Sequence, residues 1–367
     1  MSGLLKRLLR RGRDERYIGF VTPCQEVRFV AAGEAIFAPL ASTRLRVLIP
    51  AAELAKRIRV CLIPPEWLAA GRALDTLGAA RALVIAKLGT GFVRAQPELI
   101  GGMIKRLPAL RDEVRLVADV SDHYAAYGDE MGEPLVARWQ EALLAHCEVT
   151  VPSASLAAEF ARAGGRTLRV IEDPYESPAA RPWRAPSTDP LRLLWFGNLG
   201  EINQAWLEAV FRNLASRLQE RRIELTLVTH PAAAAWAARL GRDLTRGNER
   251  LTTRFVEWSL VATWSAIDAC DIVLLPQDES KPWGRSKSHN RLVEALRGGR
   301  LAVASPIPSY VELADFAWVG SDLATGIEWV CGNADEARRR VESGQRYIEQ
   351  RFAPAVVAAN WLSMLGV

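Results

Sequence analysis

Short apolar runs alternate with longer amphipathic stretches along most of the chain. Strand-like runs stand at Tyr17–Val21, Ile58–Ile63, Ala82–Ala86, Val114–Val120 and Val149–Val151, with a last one at Leu168–Ile171. Between them Thr43–Arg57, Pro65–Leu77, Gln96–Leu107, Pro134–Ala145 and Ser155–Ala163 carry helical spacing. Strand, helix, strand, repeated in this way, predicts a parallel sheet covered on both faces. Ligands of such sheets bind beyond the carboxyl ends of the strands. The loops Thr22-Pro23, Leu88–Gly91 and Ser121–Tyr124 are therefore the ones to watch.

The alternation stops at residues 174–190, where Pro174, Pro178, Pro182, Pro186 and Pro190 fall at every fourth position. Neither a helix nor a central strand tolerates that spacing, so the stretch reads as a stiff linker between residues 17–173 and 191–350. Beyond it come a strand at Leu191–Phe196, a tight loop Gly197–Gly200 and a helix at Ile202–Leu218. Then follow Ile223–Val228, a helix at Pro231–Leu240, a strand ending at Phe255–Trp258, a helix at Leu260–Ala269 and the strand Asp271–Leu275. Helical spacing fills Ile327–Leu365, and residues 351–367 form a last helix.

One stretch of the second half carries candidate chemistry. From Ser286, small polar residues lead into Leu292, Val293 and Leu296 at helical spacing; Gly298-Gly299 stops the helix, and Leu301–Ala304 reads as a buried strand. On such a helix Lys287, Asn290, Arg291 and Glu294 share one face. Free N–H groups and the dipole at a helix N-terminus favour an anion, and neighbouring cations suit a diphosphate. Glu294 would then accept hydrogen bonds from the hydroxyls of a ribose or a hexose. A solvated polar face would look the same; the residues that follow tip the reading.

Composition narrows the class. The chain has 367 residues, 49% hydrophobic and 24% charged, which describes a water-soluble protein with room for two cores. No apolar run approaches the roughly 20 residues that span a bilayer. Leu4, Leu5, Leu8 and Leu9 are interrupted by Lys6, Arg7, Arg10 and Arg11, so no signal peptide is expected, and the expected location is cytoplasmic. Residues 1–16 form either a soluble tail or a short basic amphipathic helix that touches an anionic membrane at the inner face. The five cysteines are scattered, and the four histidines lie too far apart to suggest a metal site. A net charge of +5 suits anionic substrates but is too diffuse to argue for nucleic acid.

Glu294-Ala295, Gly299, Val303 and Ser305 resemble the E-A-x-x-x-G-x-x-x-V-x-S run of GT-B glycosyltransferases. Val151–Leu156 and Val170–Pro174 are similar to elements that close the N-terminal domain of the retaining family 4 class. Leu194–Gly197 and Asp271–Pro276 resemble strands of its C-terminal domain. Ser42–Arg46 is similar to an S-x-R-x-R element of bacterial polysaccharide glycosyltransferases, and Asp119–Asp122 to an acidic motif of the same group.

The resemblance implies an α/β fold of two Rossmann-like doubly wound domains facing across a cleft, with the last helix crossing back to the first domain. It implies a glycosyltransferase of bacterial polysaccharide or glycoconjugate assembly, with a nucleotide diphosphate sugar as co-substrate, no other cofactor and no metal. The acceptor would be a glycan, lipid-linked or protein hydroxyl. On the donor side it places Gly197, Asn198, Lys281, Arg285, Lys287, Asn290, Arg291 and Glu294; on the acceptor side Arg44, with Asp119, Asp122 and His123 as catalytic candidates. Trp283 is a further candidate, for stacking on a base or sugar.

Two departures stand out. The family pairs its glutamates eight apart, whereas Ser286 stands eight before Glu294, leaving Asp278 or Glu279 to fill the place. The region Gly197–Asn203 lacks the family's cation for the diphosphate. A catalytically silent relative, or a sugar-nucleotide epimerase or hydrolase on the same fold, are the other readings.

Overall fold

The computed structural model describes residues 16–70, 80–124, 134–163, 168–187, 189–199 and 201–367. The basic tail thus lies outside the described residues up to position 15, as does most of the second half of the helix expected at Pro65–Leu77; that helix is seen over Pro65–Ala69. The chain divides into two compact units. The first runs to Glu176 and takes in Phe352–Val367; the second is Ser177–Arg351.

The first unit is built on a sheet of strands β1 (Tyr17–Val21), β2 (Arg28–Phe29), β3 (Arg59–Ile63), β4 (Ala80–Ile85), β5 (Arg115–Asp119), β6 (Glu148–Val151) and β7 (Arg169–Val170). Its order is β2-β3-β1-β4-β5-β6-β7, parallel except where β2 runs against β3. All five residues of β1 are buried, which is why the run is apolar without alternation. From β1 the chain steps to β3 on one side and then to β4 on the other, so the sheet's switch point lies at the carboxyl ends of β1 and β4.

The expected helix at Thr43–Arg57 is interrupted. Residues Arg44–Leu48 form a π-helical turn, the Ile49 N–H reaching the Arg44 carbonyl, before an α-helix at Ile49–Leu54. Pro50 is the cause: it has no N–H for the Arg46 carbonyl, and a wider turn relieves the clash of its ring. The final helix, Pro354–Leu365, packs within this unit. Its Trp361 is fully buried, edge-on to Phe20 with ring centroids 6.0 Å apart.

The second unit carries β8 (Leu191–Phe196), β9 (Ile223–Thr229), β10 (Leu251–Glu257), β11 (Ile272–Leu275), β12 (Leu301–Ala304) and β13 (Trp318–Val319). These run all parallel in the order β10-β9-β8-β11-β12-β13. Here the order reverses between β8 and β11.

The proline-rich stretch is extended, but it is not a free spacer. From Ser177 it belongs to the second unit, where the Arg181 N–H donates to the Arg297 carbonyl at 2.8 Å and Gln345 Nε2 to the Arg181 carbonyl at 2.7 Å. Gly299 ends the helix Asn290–Arg297 with a φ of +70°, and a Cβ there would lie 2.2 Å from the Pro182 carbonyl oxygen. Glycine is therefore required for two reasons, backbone conformation and close approach.

Candidate functional site

In the second unit the switch point gathers the loop after β8, the loop after β11 and the helix Asn290–Arg297. This helix starts four residues later than the sequence pattern suggests, so Lys287 precedes it rather than sharing its face. Its buried side is Leu292, Val293, Ala295, Leu296 and Arg297; Asn290, Arg291 and Glu294 are half-buried on the other. Among the described residues, its N-cap residue His289 makes no side-chain capping hydrogen bond. The first-turn N–H groups there favour an anion.

Arg291 supplies the charge missing from the loop after β8. Its Nη1 lies 3.4 Å from the Phe196 carbonyl oxygen and would be 3.1 Å from a Cβ at Gly197. Gly197 has a φ of +156°, a region open to glycine and strained for other residues. A guanidinium, an uncapped helix terminus and the glycine loop that continues into Asn198 thus stand together at the carboxyl end of β8. The cation comes from a residue 94 positions beyond Gly197, which is why the local sequence shows none.

The loop after β11 is ordered by its own contacts. Asp278 Oδ1 accepts from the Ser280 N–H at 3.0 Å and from its hydroxyl at 2.6 Å, while Glu279 is exposed. Ser286, eight before Glu294, is buried and donates its hydroxyl to the Trp283 carbonyl at 3.3 Å. The carboxylate of Asp278 therefore closes a turn instead of replacing the family's first glutamate. Arg285 Nη1 donates to the carbonyls of Glu279 and Ser280 at 3.2 and 3.1 Å, so this guanidinium also braces the loop. Lys281 Nζ lies 5.3 Å from the centroid of the buried Trp283 ring, which already has a cation over it. Glu294 Oε1 accepts from the Ser177 N–H at 3.4 Å.

In the first unit the acceptor-side candidates separate. Arg44 is buried: Nε and Nη2 grip the Glu176 carboxylate at 2.7 and 3.0 Å, and Nη1 donates to the Ala38 and Pro39 carbonyls. Arg46 is fully buried and holds Asp119 bidentately at 2.9 and 2.6 Å, with Asp173 at 3.2 Å and the Ile171 carbonyl also in reach. Thr150 Oγ1 donates to Asp119 Oδ1 at 2.7 Å. Burial works against the Arg46 charge, but Asp119 and Asp173 raise its pKa well above the ordinary arginine value. Arg44 and Asp119, expected on the acceptor side and in catalysis, both stand in ion pairs that tie residues 171–176 to the body of the unit.

Asp122 and His123 follow β5 with different surroundings. Asp122 pairs with Lys87 Nζ and receives the Tyr124 hydroxyl at 3.4 Å; Gln140 Nε2 donates to its carbonyl at 2.6 Å. Burial pushes the Tyr124 phenol up to about 12, so it keeps its proton. His123 is buried and stacked on Phe160, ring centroids 3.9 Å apart at 9°, and burial pulls its pKa down. The neutral ring is packed against that phenyl group.

Lys87 was missed, whereas Thr22 lies in a loop that the sequence marks. They follow β4 and β1, the two strands of the switch point, and the Thr22 hydroxyl is buried with no hydrogen-bond partner among the described residues. A lysine closing an apolar run just before Leu88-Gly-Thr-Gly91 was the available signal.

No protein-family model and no curated protein matches the chain by sequence. Among solved structures, it is similar to S. aureus TarM, in a complex that contains UDP, with 11% identity and a TM-score of 0.57 over 81% of this chain. The chain spans 58% of the length of that protein. It is also similar to a structure titled trehalose-6-phosphate from E. coli, bound with UDP-2-fluoro glucose: 10% identity, TM-score 0.60, covering 95% of this chain and 98% of that one. AviGT4, a glycosyltransferase involved in avilamycin A biosynthesis, aligns at 13% identity and a TM-score of 0.53 over 96% of this chain and 97% of its own. Two Rossmann-like parallel sheets, each with its own switch point, and these likenesses along nearly the whole length give the conclusion that the chain has the GT-B fold.

Proposed function

We propose that the chain is a glycosyltransferase that moves a hexosyl group from a nucleotide diphosphate sugar to an acceptor hydroxyl, with retention and without a metal. The observation that carries this reading is Arg291 standing over Gly197 beside an uncapped helix terminus. As the glycosyl bond breaks, negative charge builds on the departing diphosphate, and fixed cations and N–H donors lower that barrier. Arg291 and the first turn Asn290–Arg291 would hold the diphosphate, with Lys287 and Arg285 in support; Glu294 would take ribose or hexose hydroxyls. The acceptor is assigned to the carboxyl edge of the first unit, at Asp122, Lys87 and Thr22. A glycan, lipid-linked or protein acceptor in bacterial surface polysaccharide or glycoconjugate assembly agrees with the sequence resemblance, as does a cytoplasmic site of action. The UDP in the TarM complex and the UDP-2-fluoro glucose in the E. coli structure support a sugar nucleotide as the donor.

The buried Ser286 favours a second reading, a silent relative that binds without turnover. A thermal-shift screen against UDP, GDP, ADP, CMP and dTDP without metal, followed by turnover of the matching sugar nucleotide, decides. Stabilisation by one nucleotide with release of its sugar supports transfer; a folded protein that answers to none of them removes the donor site.

A further inference from the structure

We infer that the second unit carries a binding site for a neutral hexopyranosyl ring, in a recess between the helices Glu201–Arg217 and Leu323–Gly332. The first of these helices carries two stripes at helical spacing. Leu207, Phe211 and Leu214 are buried and serve the core. Trp206, Val210 and Asn213 repeat that spacing one position earlier, and the core does not take them in: Trp206 and Val210 are half-buried and Asn213 is exposed. They line a recess of about 360 Å³, together with Ser321 and Leu323 at the start of the other helix and the buried Ser305 after β12. None of the donor-side candidates is among its lining residues.

The lining selects the ligand. It contains no charged side chain. Beside it, Asp322 caps the helix through the Ala324 and Thr325 N–H groups at 3.2 and 3.4 Å and pairs with Arg217 at 3.1 Å, so that helix terminus and that cation are already answered. A phosphate or carboxylate therefore meets no cation in the lining to offset its desolvation. What the recess does offer is hydrogen bonding and an aromatic face. Ser305 Oγ accepts the Gln277 N–H at 3.0 Å, while its own proton meets no acceptor among the described residues. Asn213 and Ser321 bring an amide and a second hydroxyl. The Trp206 indole makes no ring contact among the described residues. A pyranose matches this set. Its C–H face suits the indole and the Val210 and Leu323 side chains, and the hydroxyls around its edge suit Ser305, Asn213 and Ser321. The volume lies at the lower end of the roughly 300–1,000 Å³ of small-molecule sites, room for one ring. The inference goes beyond the proposed transfer and does not rest on it.

The test titrates the full chain, its tryptophans labelled with nitrogen-15, with the methyl α-glycosides of glucose, galactose and N-acetylglucosamine, and with uridine as the flat alternative. The indole N–H signals report the place of binding, the Trp206 signal being the one that Trp206→Phe removes. Saturation transfer to the glycoside reports affinity. At least one glycoside is expected to move the Trp206 signal, with a Kd of about 1–10 mM, ordinary for a single ring with few contacts. Ala209→Phe fills the recess from an exposed lining position and is expected to weaken binding at least roughly tenfold. Should that variant melt early, Trp206→Ala is read for a loss of about tenfold instead. Arg291→Ala is expected to leave the glycoside's affinity within about twofold, because it lies outside the lining. The inference falls if no glycoside moves the Trp206 signal, if uridine alone does, if a folded Ala209→Phe variant binds like the wild type, or if Arg291→Ala abolishes binding.

Discussion

Replacing Asp119 by alanine separates a group that works on substrate from one that holds the fold. In the structure its carboxylate receives two hydrogen bonds from Arg46, at 2.9 and 2.6 Å, and one from Thr150 at 2.7 Å, all fully buried. The alanine variant leaves Arg46 with Asp173 at 3.2 Å and the Ile171 carbonyl, too little for a guanidinium without water. Removing one partner of a buried ion pair costs about 3–5 kcal/mol. For a unit of this size that is a fall of roughly 6–20 °C in its melting transition. Calorimetry is the assay, because two units give two transitions and only the first should move. Asp119→Asn keeps the acceptor for Thr150 but loses the charge, so its effect should lie between alanine and wild type. A variant that melts with the wild type yet has lost turnover would refute the holding role and return Asp119 to the reaction.

Arg291→Ala is expected to weaken nucleoside diphosphate binding roughly 10–100-fold, the worth of a charge-assisted hydrogen bond, with the melting point nearly unchanged; titration calorimetry reads it. Gly197→Ala should weaken the same binding and also lower stability by about 1–3 kcal/mol, since a side chain at that φ is strained and its Cβ stands 3.1 Å from Arg291 Nη1. Burial raises the pKa of Glu312, but hydrogen bonds from His289 at 3.0 Å and Arg351 at 3.3 Å bring it net below the ordinary glutamate value. A depressed folded pKa contributes stability that is present above the unfolded value, about 4.3, and lost as pH falls through the folded one. Glu312→Gln should therefore lower the second unit's melting point at neutral pH and flatten its acid limb in a pH series.

The fold was legible because its strands are buried on both faces. Such strands leave continuous apolar runs, and β1, β8 and β12 begin and end where those runs do. What escaped notice has no such run. The strands β2 and β13 have two half-buried residues each, placed by their neighbours rather than by their own pattern. The turn at Arg44–Leu48 hid inside helical spacing, and only Pro50 betrayed it. The proline stretch was rightly extended, yet its partners, Arg297 and Gln345, are more than a hundred residues away and could not be seen in it.

Charged residues divide by the same principle. Arg44, Arg46, Asp119 and Arg291 look alike in a sequence: charged side chains in a fold that binds anions. Burial distinguishes them. A buried charge has to be answered within the fold, so Arg44 is answered by Glu176 and Arg46 by Asp119 and Asp173, and nothing remains for a ligand. Arg291 is half-buried, and among the described residues its side chain makes one long hydrogen bond, to a carbonyl at 3.4 Å. A guanidinium has five donors, and a single long bond leaves most of that capacity open to an oxyanion. The S-x-R-x-R element thus reads as a brace for residues 171–176, and Arg291 as a cation that the helix places beside the glycine loop. The glycine at position 197 follows from this: any side chain there would occupy the space into which Arg291 reaches.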